Sequence, residues 1–226
     1  MRVVNLFAGP GTGKSTTATG LFNELKNRGV NAEYIPEYAK DAAWEHRGEK
    51  FWKAQQHIYG EQSWRFHRVR DEVDIMVTDC PLILGNVYMP PNFPITSLTD
   101  AMMEDFNQYD NLNIFLIRSK AFNPKGRNQT VDEARQLDSD VKQMLLDKNV
   151  PFYVLDTSRL TPFKIIDKMI LAKGWHEDVP GLLKNPSREE LMELVNFYHG
   201  PVKGTYEDDS LPEGALDPAD WQEITE

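Results

Sequence analysis

Between an apolar run that ends at Phe7 and a segment of helical composition, the chain reads Ala8-Gly9-Pro10-Gly11-Thr12-Gly13-Lys14-Ser15. Apart from the first position, where Ala8 stands in place of glycine, this matches the Walker A pattern G-x-x-x-x-G-K-[ST]. Glycines allow backbone N–H groups to converge on phosphate oxygens, and the start of the following helix adds its dipole. The loop therefore predicts a nucleotide-binding α/β domain.

The residues of this loop have separate expected roles. Gly9, Gly11 and Gly13 are predicted to supply backbone dihedral angles that other residues avoid. Lys14 is expected to reach the β and γ phosphates of ATP, and Ser15 to bind Mg²⁺. The residues of the segment predicted to contact the nucleotide are Gly9, Pro10, Gly11, Thr12, Gly13, Lys14, Ser15 and Thr16. A turn that merely joins a strand to a helix is the alternative, and the match in this context argues against it.

Short apolar runs recur along the chain and predict five strands, at residues 3–7, 32–35, 73–78, 113–117 and 151–155. Helix-length segments lie between them, including Lys14 to Arg28 and Thr130 to Lys148. This alternation predicts an α/β fold, a three-layer sandwich with a mostly parallel five-stranded sheet covered on both faces. Ligands of such sheets bind at the carboxyl ends of the strands, so the functional residues should follow strands directly.

Two carboxylates follow predicted strands on the expected acceptor side of the site. Glu37 comes just after the second strand and is the candidate general base, which would accept the proton of an attacking hydroxyl. Asp79 ends the third strand as a Walker B aspartate would, and is a candidate catalytic residue and, with Ser15, a candidate Mg²⁺ ligand. The alternatives are an ordinary loop carboxylate for Glu37 and a turn-forming aspartate for Asp79.

The segment from Trp44 to Arg70 interleaves aromatic rings with cations. Rings stack on nucleobases and cations neutralise phosphates, so the segment could bind a nucleoside, a nucleotide or a nucleic acid strand. Amphipathic helices whose rings belong to the core are the alternative, and this alternative suits most of these residues better. The histidines here lack metal-ligand spacing, and no metal is assigned to them. The rings and cations are Trp44, Phe51, Trp52, Tyr59, Trp64, Phe66, Arg47, Lys50, Lys53, Arg65, Arg68 and Arg70.

Basic residues follow the fourth predicted strand. After Arg118, which is expected to contact the nucleotide, residues 119–130 are irregular in pattern and include Lys125 and Arg127. This composition predicts a mobile lid that brings both cations onto the transferring phosphoryl group, with Arg127 as a catalytic residue. A basic lid favours a kinase over a GTPase, and a solvated surface loop is the alternative. Residues 156–159, after the last strand, are a candidate border for the adenine.

Composition and charge limit what the chain can be. Its 226 residues, 40% hydrophobic and 27% charged, are typical of a globular protein with one main domain. Cys80 is the single cysteine, which excludes an intramolecular disulfide and fits a reducing cytoplasm. No apolar stretch is long enough for a signal peptide or a membrane span, so no membrane partner is expected.

The acidic balance is concentrated at the C-terminal end. The net charge of −10 includes −7 from the last 27 residues, where eight carboxylates accompany one lysine. The acidity of the chain therefore says little about what its body binds, and nucleic acid is not excluded. We predict a nucleotide-binding domain over residues 1–173 and a C-terminal extension with an acidic tail over residues 174–226. The sequence carries no indication of the oligomeric state.

Four stretches together resemble phage-encoded P-loop nucleotide kinases, and especially the 5-hydroxymethyluracil DNA kinases. They are residues 7–17, Glu37-Tyr38-Ala39-Lys40, Thr78-Asp79-Cys80-Pro81-Leu82 and Asn123-Pro124-Lys125-Gly126-Arg127. The resemblance covers about residues 1–173 and extends to the nicotinamide riboside kinases, which share a Glu-Tyr-Ala-basic segment after the second strand. It implies that Glu37 and Asp79 handle the acceptor hydroxyl and the metal, that Arg127 is the lid cation, and that the host cytoplasm is the site of action. Ala8 and the acidic extension depart from the family pattern.

On this resemblance the acceptor would be the hydroxymethyl group of 5-hydroxymethyluracil in phage DNA, phosphorylated from ATP before its replacement by other groups. DNA with a modified base would then be a partner, although an acidic extension is awkward for DNA binding. Two alternatives stay open. One is a kinase for a free nucleoside, a deoxynucleoside monophosphate or nicotinamide riboside; the other is a nucleotide-dependent switch or ATPase, against which Glu37 and the basic lid argue.

Overall fold

The computed structural model describes residues 1–119 and 130–184 of the chain. Within these ranges five strands alternate with helices, as the apolar runs predict. The strands are β1 (Arg2–Phe7), β2 (Ala32–Ile35), β3 (Ile75–Thr78), β4 (Asp110–Ile117) and β5 (Tyr153–Asp156). The α-helices are α1 (Lys14–Asn27), α2 (Tyr38–Trp44), α3 (Glu49–Trp52), α4 (Gln55–His67), α5 (Leu98–Phe106), α6 (Val131–Asp147) and α7 (Thr161–Leu171). Short 3₁₀ helices lie at Leu82–Tyr88, Trp175–Glu177 and Pro180–Leu183.

The strands form one parallel sheet in the order β2-β3-β1-β4-β5. β1 lies at its centre, with Asn5 opposite Thr78 of β3 and Asn113 of β4. Since all strands run the same way, their carboxyl ends share one edge, where ligands of open α/β sheets bind. The predicted fold class is confirmed, and the segments that follow β1, β2, β3 and β4 meet at this edge.

β4 begins three residues before its predicted start. The prediction missed these residues because they are mostly polar, and it relied on runs of apolar residues. Asn5 of β1 donates its Nδ2 hydrogens to Oδ1 of Asn111 at 2.8 Å and of Asn113 at 3.0 Å. Asn113 in turn donates to the carbonyl oxygen of Pro151 at 2.9 Å. These bonds satisfy the side-chain N–H groups of Asn5 and Asn113, which the sheet would otherwise bury unpaired, and they favour one register between β1 and β4.

Alternate side chains of the sheet pack on its two faces. Val4 and Leu6 lie in a buried cluster with α1 and α7, while Val3 and Phe7 lie in a second cluster with the 3₁₀ helix Leu82–Tyr88, α5 and α6. Helices thus cover both faces of the sheet, which is the predicted three-layer arrangement. It also explains why the strands are nearly all apolar, since both of their faces are buried.

The two long helices that border the site have clear end signals. α1 is followed by Gly29, whose φ of +74° is the left-handed conformation common just after a helix. α6 starts with a capping box, in which Thr130 Oγ1 accepts from Glu133 N and Glu133 Oε2 accepts from Thr130 N at 2.7 Å. Both helices therefore agree with their predicted ranges within two residues.

The compact unit extends from Met1 to Asn185, and a second unit, Pro186–Glu226, lies outside the described residues. Trp175, Val179 and Leu182 are buried in the cluster that α1 and α7 form. The first residues of the predicted extension thus pack with the nucleotide-binding domain, whereas the division of the chain at residue 173 stays a prediction. Among the described helices, none has the length and apolar character needed to cross a bilayer.

Candidate active site

The loop between β1 and α1 has the backbone shape that its glycines allow. Gly11 and Gly13 have φ values of +80° and +109°, in the region that side chains disfavour. Gly9 does not share this conformation, so the prediction that it supplies an unusual dihedral angle is wrong. A Cβ at Gly9 would lie 2.5 Å from the carbonyl oxygen of Ala134 and 2.7 Å from Asp138 Oδ1. Glycine is needed there because α6 approaches the loop.

Lys14, at the first position of α1, turns back over the loop. Its Nζ donates to the carbonyl oxygens of Ala8 at 2.8 Å and Gly9 at 3.1 Å. The ammonium group is therefore held over the mouth of the loop. From this position, Lys14 Nζ could leave the two carbonyl oxygens and bind phosphate oxygens through rotation of its own side chain, without a change in the backbone.

Ser15 and Asp79 are brought together, although 64 residues separate them in the chain. Ser15 Oγ donates to Asp79 Oδ2 at 2.5 Å. Asp79 is 1% exposed, and its Oδ1 has no hydrogen-bond partner within the described residues. A hydroxyl next to a carboxylate with one unsatisfied oxygen suits Mg²⁺, which prefers oxygen ligands and is held by one or two protein groups together with phosphates. These two side chains fit the predicted metal site.

Tyr34, one strand away on β2, is a member of this cluster that the sequence did not single out. Its phenol lies within the electrostatic reach of Asp79 and Ser15. Burial, and after it the Asp79 carboxylate, raises the pKa of Tyr34, so the phenol stays protonated and can donate to the carboxylate. The signal in the sequence is weak because a tyrosine in a strand is ordinary.

Glu37 follows β2 and occupies the N-cap position of α2. Burial raises the pKa of its carboxyl group; Lys14 lowers the pKa and Asp79 raises it. These interactions place Glu37 in one electrostatic neighbourhood with Lys14 and Asp79, as predicted for residues at the ends of neighbouring strands. A carboxylate with a raised pKa is a better proton acceptor than an ordinary one near neutral pH.

The side chain of Gln62, a residue of α4 that is only 4% exposed, hydrogen-bonds with the backbone of the turn that carries Glu37. Gln62 Oε1 accepts from Tyr38 N at 2.9 Å, and its Nε2 donates to the Pro36 carbonyl oxygen at 3.4 Å. Beside it lies a cavity of about 30 Å³, lined by Gln55, Ile58, Tyr59, Gln62, Cys80, Pro81, Leu82, Gly85 and Met102. Cys80 is partly buried, whereas a buried residue was expected, and its environment raises the pKa of the thiol, which does not suit a nucleophile.

Arg118, predicted to contact the nucleotide, lies against the outer side of the loop. Its Nη2 donates to the Pro10 carbonyl oxygen at 3.0 Å and to Asp138 Oδ2 at 2.8 Å. Asp138 Oδ1 accepts from Gly9 N at 2.6 Å. Sequence reasoning missed Asp138, although its position was a signal: it interrupts the inward stripe of α6 between Ala134 and Val141 at helical spacing.

Four other residues or segments were predicted to contact the nucleotide or the phosphoryl group: Thr16, Thr12, the adenine border and the lid. Thr16 is exposed in the first turn of α1, and Thr12 is buried with its hydroxyl donating to the Gly9 carbonyl oxygen at 3.0 Å. Thr157, from the predicted adenine border, lies beside Gly13, where an added Cβ would be 3.4 Å from its Cγ2. Arg127 and the rest of the predicted lid over residues 120–129 lie outside the described residues.

Comparison with known proteins identifies the family. A family model described as AAA domain matches residues 3–160, which include the loop, Glu37 and Asp79. A search of curated proteins gave no significant match.

The chain is similar to solved structures at low sequence identity, and one of them superposes well enough to show the fold. NadR, in a structure with NAD and AMP-PNP, superposes with a TM-score of 0.55 at 15% identity, over 76% of this chain and 49% of that one. The chain thus spans about half the length of the NadR structure. Deoxyadenosine kinase from M. mycoides, with dCMP and dCDP, gives a TM-score of 0.47 at 13% identity over 74% of this chain and 98% of that one. The chain belongs to the AAA domain family and has a P-loop NTPase fold.

Proposed function

We propose that this chain is an ATP-dependent kinase that transfers the γ-phosphate to a hydroxyl group of a nucleobase- or nucleoside-type acceptor. The observation that carries the proposal is the position of Glu37. A partly buried carboxylate with a raised pKa lies in the electrostatic reach of both Lys14 and Asp79. A phosphate loop that only binds a nucleotide has no need of a base beside the γ-phosphate, whereas attack on that phosphate by a hydroxyl group does.

The proposed reaction assigns one task to each residue. The acceptor oxygen attacks the γ-phosphorus, a new P–O bond forms, the bond to the β-phosphate oxygen breaks, and ADP leaves. Glu37 takes the proton of the acceptor hydroxyl and holds that group in line. Lys14 leaves the carbonyl oxygens of Ala8 and Gly9 to bind the β and γ phosphates. When Mg²⁺ is bound at Ser15 and Asp79, it neutralises charge on the phosphates. The lid cation Arg127 is proposed to do the same from the acceptor side.

For the acceptor, we propose the 5-hydroxymethyl group of 5-hydroxymethyluracil in DNA, and a phage as the source of the chain. The support is the resemblance in the phosphate loop, the Glu37-to-Lys40 segment and the segment from Thr78 to Leu82. A free nucleoside, a deoxynucleoside monophosphate or nicotinamide riboside is the second candidate, and the fold shared with NadR, solved with NAD and AMP-PNP, is a reason to test it.

A non-kinase ATPase or switch is the third candidate, and membership of the AAA domain family keeps it under test. Such a protein would release phosphate to water.

The test uses ATP labelled in its γ-phosphate with Mg²⁺ and, in separate reactions, hydroxymethyluracil DNA, ordinary DNA, nucleosides, deoxynucleoside monophosphates and nicotinamide riboside. Label in modified DNA alone supports the first acceptor, and label in a small molecule alone selects the second. Release of labelled phosphate with no labelled acceptor overturns the kinase proposal. Lys14→Ala is the control for transfer by any contaminating enzyme.

A further inference from the structure

Four aromatic side chains of the segment between β2 and β3 form a continuous row on the protein surface, which we call the aromatic ridge: Tyr38, His57, Phe51 and Trp52. Ring centroids of Phe51 lie 6.2 Å from Tyr38, 5.6 Å from His57 and 5.3 Å from Trp52. The Tyr38 hydroxyl and His57 Nε2 are 3.1 Å apart. Phe51 is thus the centre of the ridge.

The aromatic ridge is not part of the core. Helix α3, which supplies Phe51 and Trp52, buries none of its residues, and His57 is exposed. The buried side chains of α4 are Gln55, Gln62 and Phe66, which lie on another face of that helix. Tyr38, Phe51 and Trp52 are partly exposed, and grouped rings that a domain leaves partly exposed mark an interaction surface, because their full burial would otherwise stabilise the fold. The rings of the ridge therefore lie outside the buried core, whereas Phe66 belongs to it.

Cations accompany the ridge. The guanidinium of Arg47 lies 5.7 Å from the Phe51 ring centroid, and that of Arg65 lies 5.3 Å from the Tyr38 ring centroid. Residues 38–70 hold seven lysines and arginines against four carboxylates, a net charge of +3 in a chain with a net charge of −10. Rings together with excess positive charge suit a ligand that has both flat bases and phosphates.

One end of the ridge adjoins the candidate base. Tyr38 is the residue after Glu37, and Arg65 Nη1 donates to the Pro36 carbonyl oxygen at 3.2 Å, on the other side of Glu37. The other end opens into a surface pocket of about 470 Å³, which is lined by Ala43, His46, Arg47, Glu49 and Trp52.

Two exposed tryptophans flank the ridge. Trp44, the residue after Ala43 of the pocket, is 62% exposed, and Trp64 is 59% exposed. Trp64 lies two turns of α4 beyond His57 and so on the same face, about 10 Å further along the helix. Among the Phe, Trp and Tyr side chains in residues 1–119 and 130–184, the next most exposed is Tyr153, at 37%. The most exposed aromatics of the described chain thus lie on this segment.

We infer that the aromatic ridge and its flanking tryptophans bind the nucleic acid strand on either side of the acceptor nucleotide. Bases would stack on Trp44, Trp52 and Phe51, and the phosphates would lie near Arg47. The inference rests on the proposed kinase function and sharpens it, since a row of rings beside the candidate base can contact neighbouring nucleotides of a strand in addition to the acceptor.

The test measures strand binding separately from catalysis. The probe is a fluorescein-labelled 12-mer of thymidylate, titrated with the full chain and followed by fluorescence anisotropy. Trp44→Ala is expected to weaken binding about tenfold, the loss of one stacked base. Leu171→Ala removes an equally superficial apolar side chain on α7, 84% exposed, and should leave binding unchanged. Arg47→Glu should lower the slope of log Kd against log salt by about one or more, whereas Lys26→Glu, exposed on α1, should not.

Transfer of labelled phosphate to free 5-hydroxymethyl-2′-deoxyuridine is measured on the same variants. Weakened strand binding in Trp44→Ala with unchanged transfer to the nucleoside supports the inference. Absence of strand binding in a chain that phosphorylates the nucleoside overturns the ridge as a strand site and leaves the kinase function intact. Strand binding through Trp44 with no labelled acceptor of any kind overturns the kinase function and leaves the binding surface. Equal losses in Trp44→Ala and Leu171→Ala also overturn the inference.

Discussion

The carboxylate of Asp138 accepts a hydrogen bond from the backbone N–H of Gly9 at 2.6 Å, across 129 residues of sequence. Its second oxygen pairs with Arg118, which also donates to the Pro10 carbonyl oxygen. One side chain of α6 therefore ties the first residues of the phosphate loop to the segment after β4. The carbonyl oxygen of Gly9 is in turn one of the two that hold Lys14.

Asp138→Ala is expected to raise the Kd for ATP about ten- to a hundredfold. The change removes a charge-assisted bond to the loop and leaves Gly9 N without a partner, and such bonds contribute about 1.5–3 kcal/mol. Asp138→Asn keeps an acceptor for Gly9 N and should lose less. Asp140→Asn, exposed on the same helix, is the matched control and should bind ATP normally. Nucleotide titration by calorimetry measures all three, and equal affinities would contradict the role of Asp138.

Lys14→Ala should abolish phosphoryl transfer while the fold stays intact. Removal of one charge-stabilising group from a transferring phosphoryl site costs on the order of 10²–10³-fold in rate. Within the described residues the hydrogen bonds of the lysine go to backbone carbonyl oxygens of its own loop, so the thermal midpoint should change little. Transfer assays and thermal unfolding by circular dichroism check the two halves. A variant that retains wild-type turnover would remove Lys14 from the mechanism.

Glu37→Gln should lower turnover by about 10²–10⁴-fold with little change in ATP affinity, because a general base acts on the acceptor and not on the nucleotide. The rate of the unaltered chain should fall as the pH drops through the raised pKa of Glu37, at a higher pH than for an ordinary glutamate. The variant should lack this acidic limb. A pH–rate profile for both proteins is the measurement, and equal turnover would rule Glu37 out as the base.

The same substitution should raise the stability of the chain at neutral pH. Burial raises the pKa of Glu37 in the folded state, so the folded chain holds this proton more tightly than the unfolded chain. The stabilising contribution is complete below the ordinary glutamate pKa and is lost as the pH rises through the raised value. Lys14 and Lys40 reduce the effect, and Asp79 and Asp41 add to it. In thermal unfolding, the Tm of Glu37→Gln should exceed that of the original chain at pH 8, and the difference should be smaller at pH 4. Each kcal/mol of added stability corresponds to a rise in Tm of about 2–4 °C.

Gly9→Ala should destabilise the chain by about 1–3 kcal/mol and weaken ATP binding. Its Cβ would lie 2.5 Å from a backbone oxygen of α6, and backbone cannot move aside as a flexible side chain can. Gly48→Ala is the control, since a Cβ there meets no atom within 4 Å. Chemical denaturation compares the two. Similar stabilities would mean that α6 does not approach the loop this closely in solution.

Several parts of the site could be read from the sequence. The phosphate loop, Glu37 and Asp79 each follow a short apolar run, and a parallel sheet brings such positions to one edge. The sequence did not reveal why Gly9 is glycine, because the reason is contact with Ala134 and not a local dihedral angle. Nor did it reveal the start of β4, since the asparagines there are buried through pairing with Asn5 of another strand.

By itself, the sequence determined the order of strands and helices and the shape of the phosphate loop. These follow from preferences that act over a few residues: apolar runs, helix ends and glycines at positive φ. Only the tertiary structure decided which groups meet, namely Asp138 and Gly9, Tyr34 and Asp79, and the partly exposed rings of Phe51 and Tyr38. The physical reason is that such contacts depend on how distant elements pack against one another, and the sequence pattern around each residue does not contain that information.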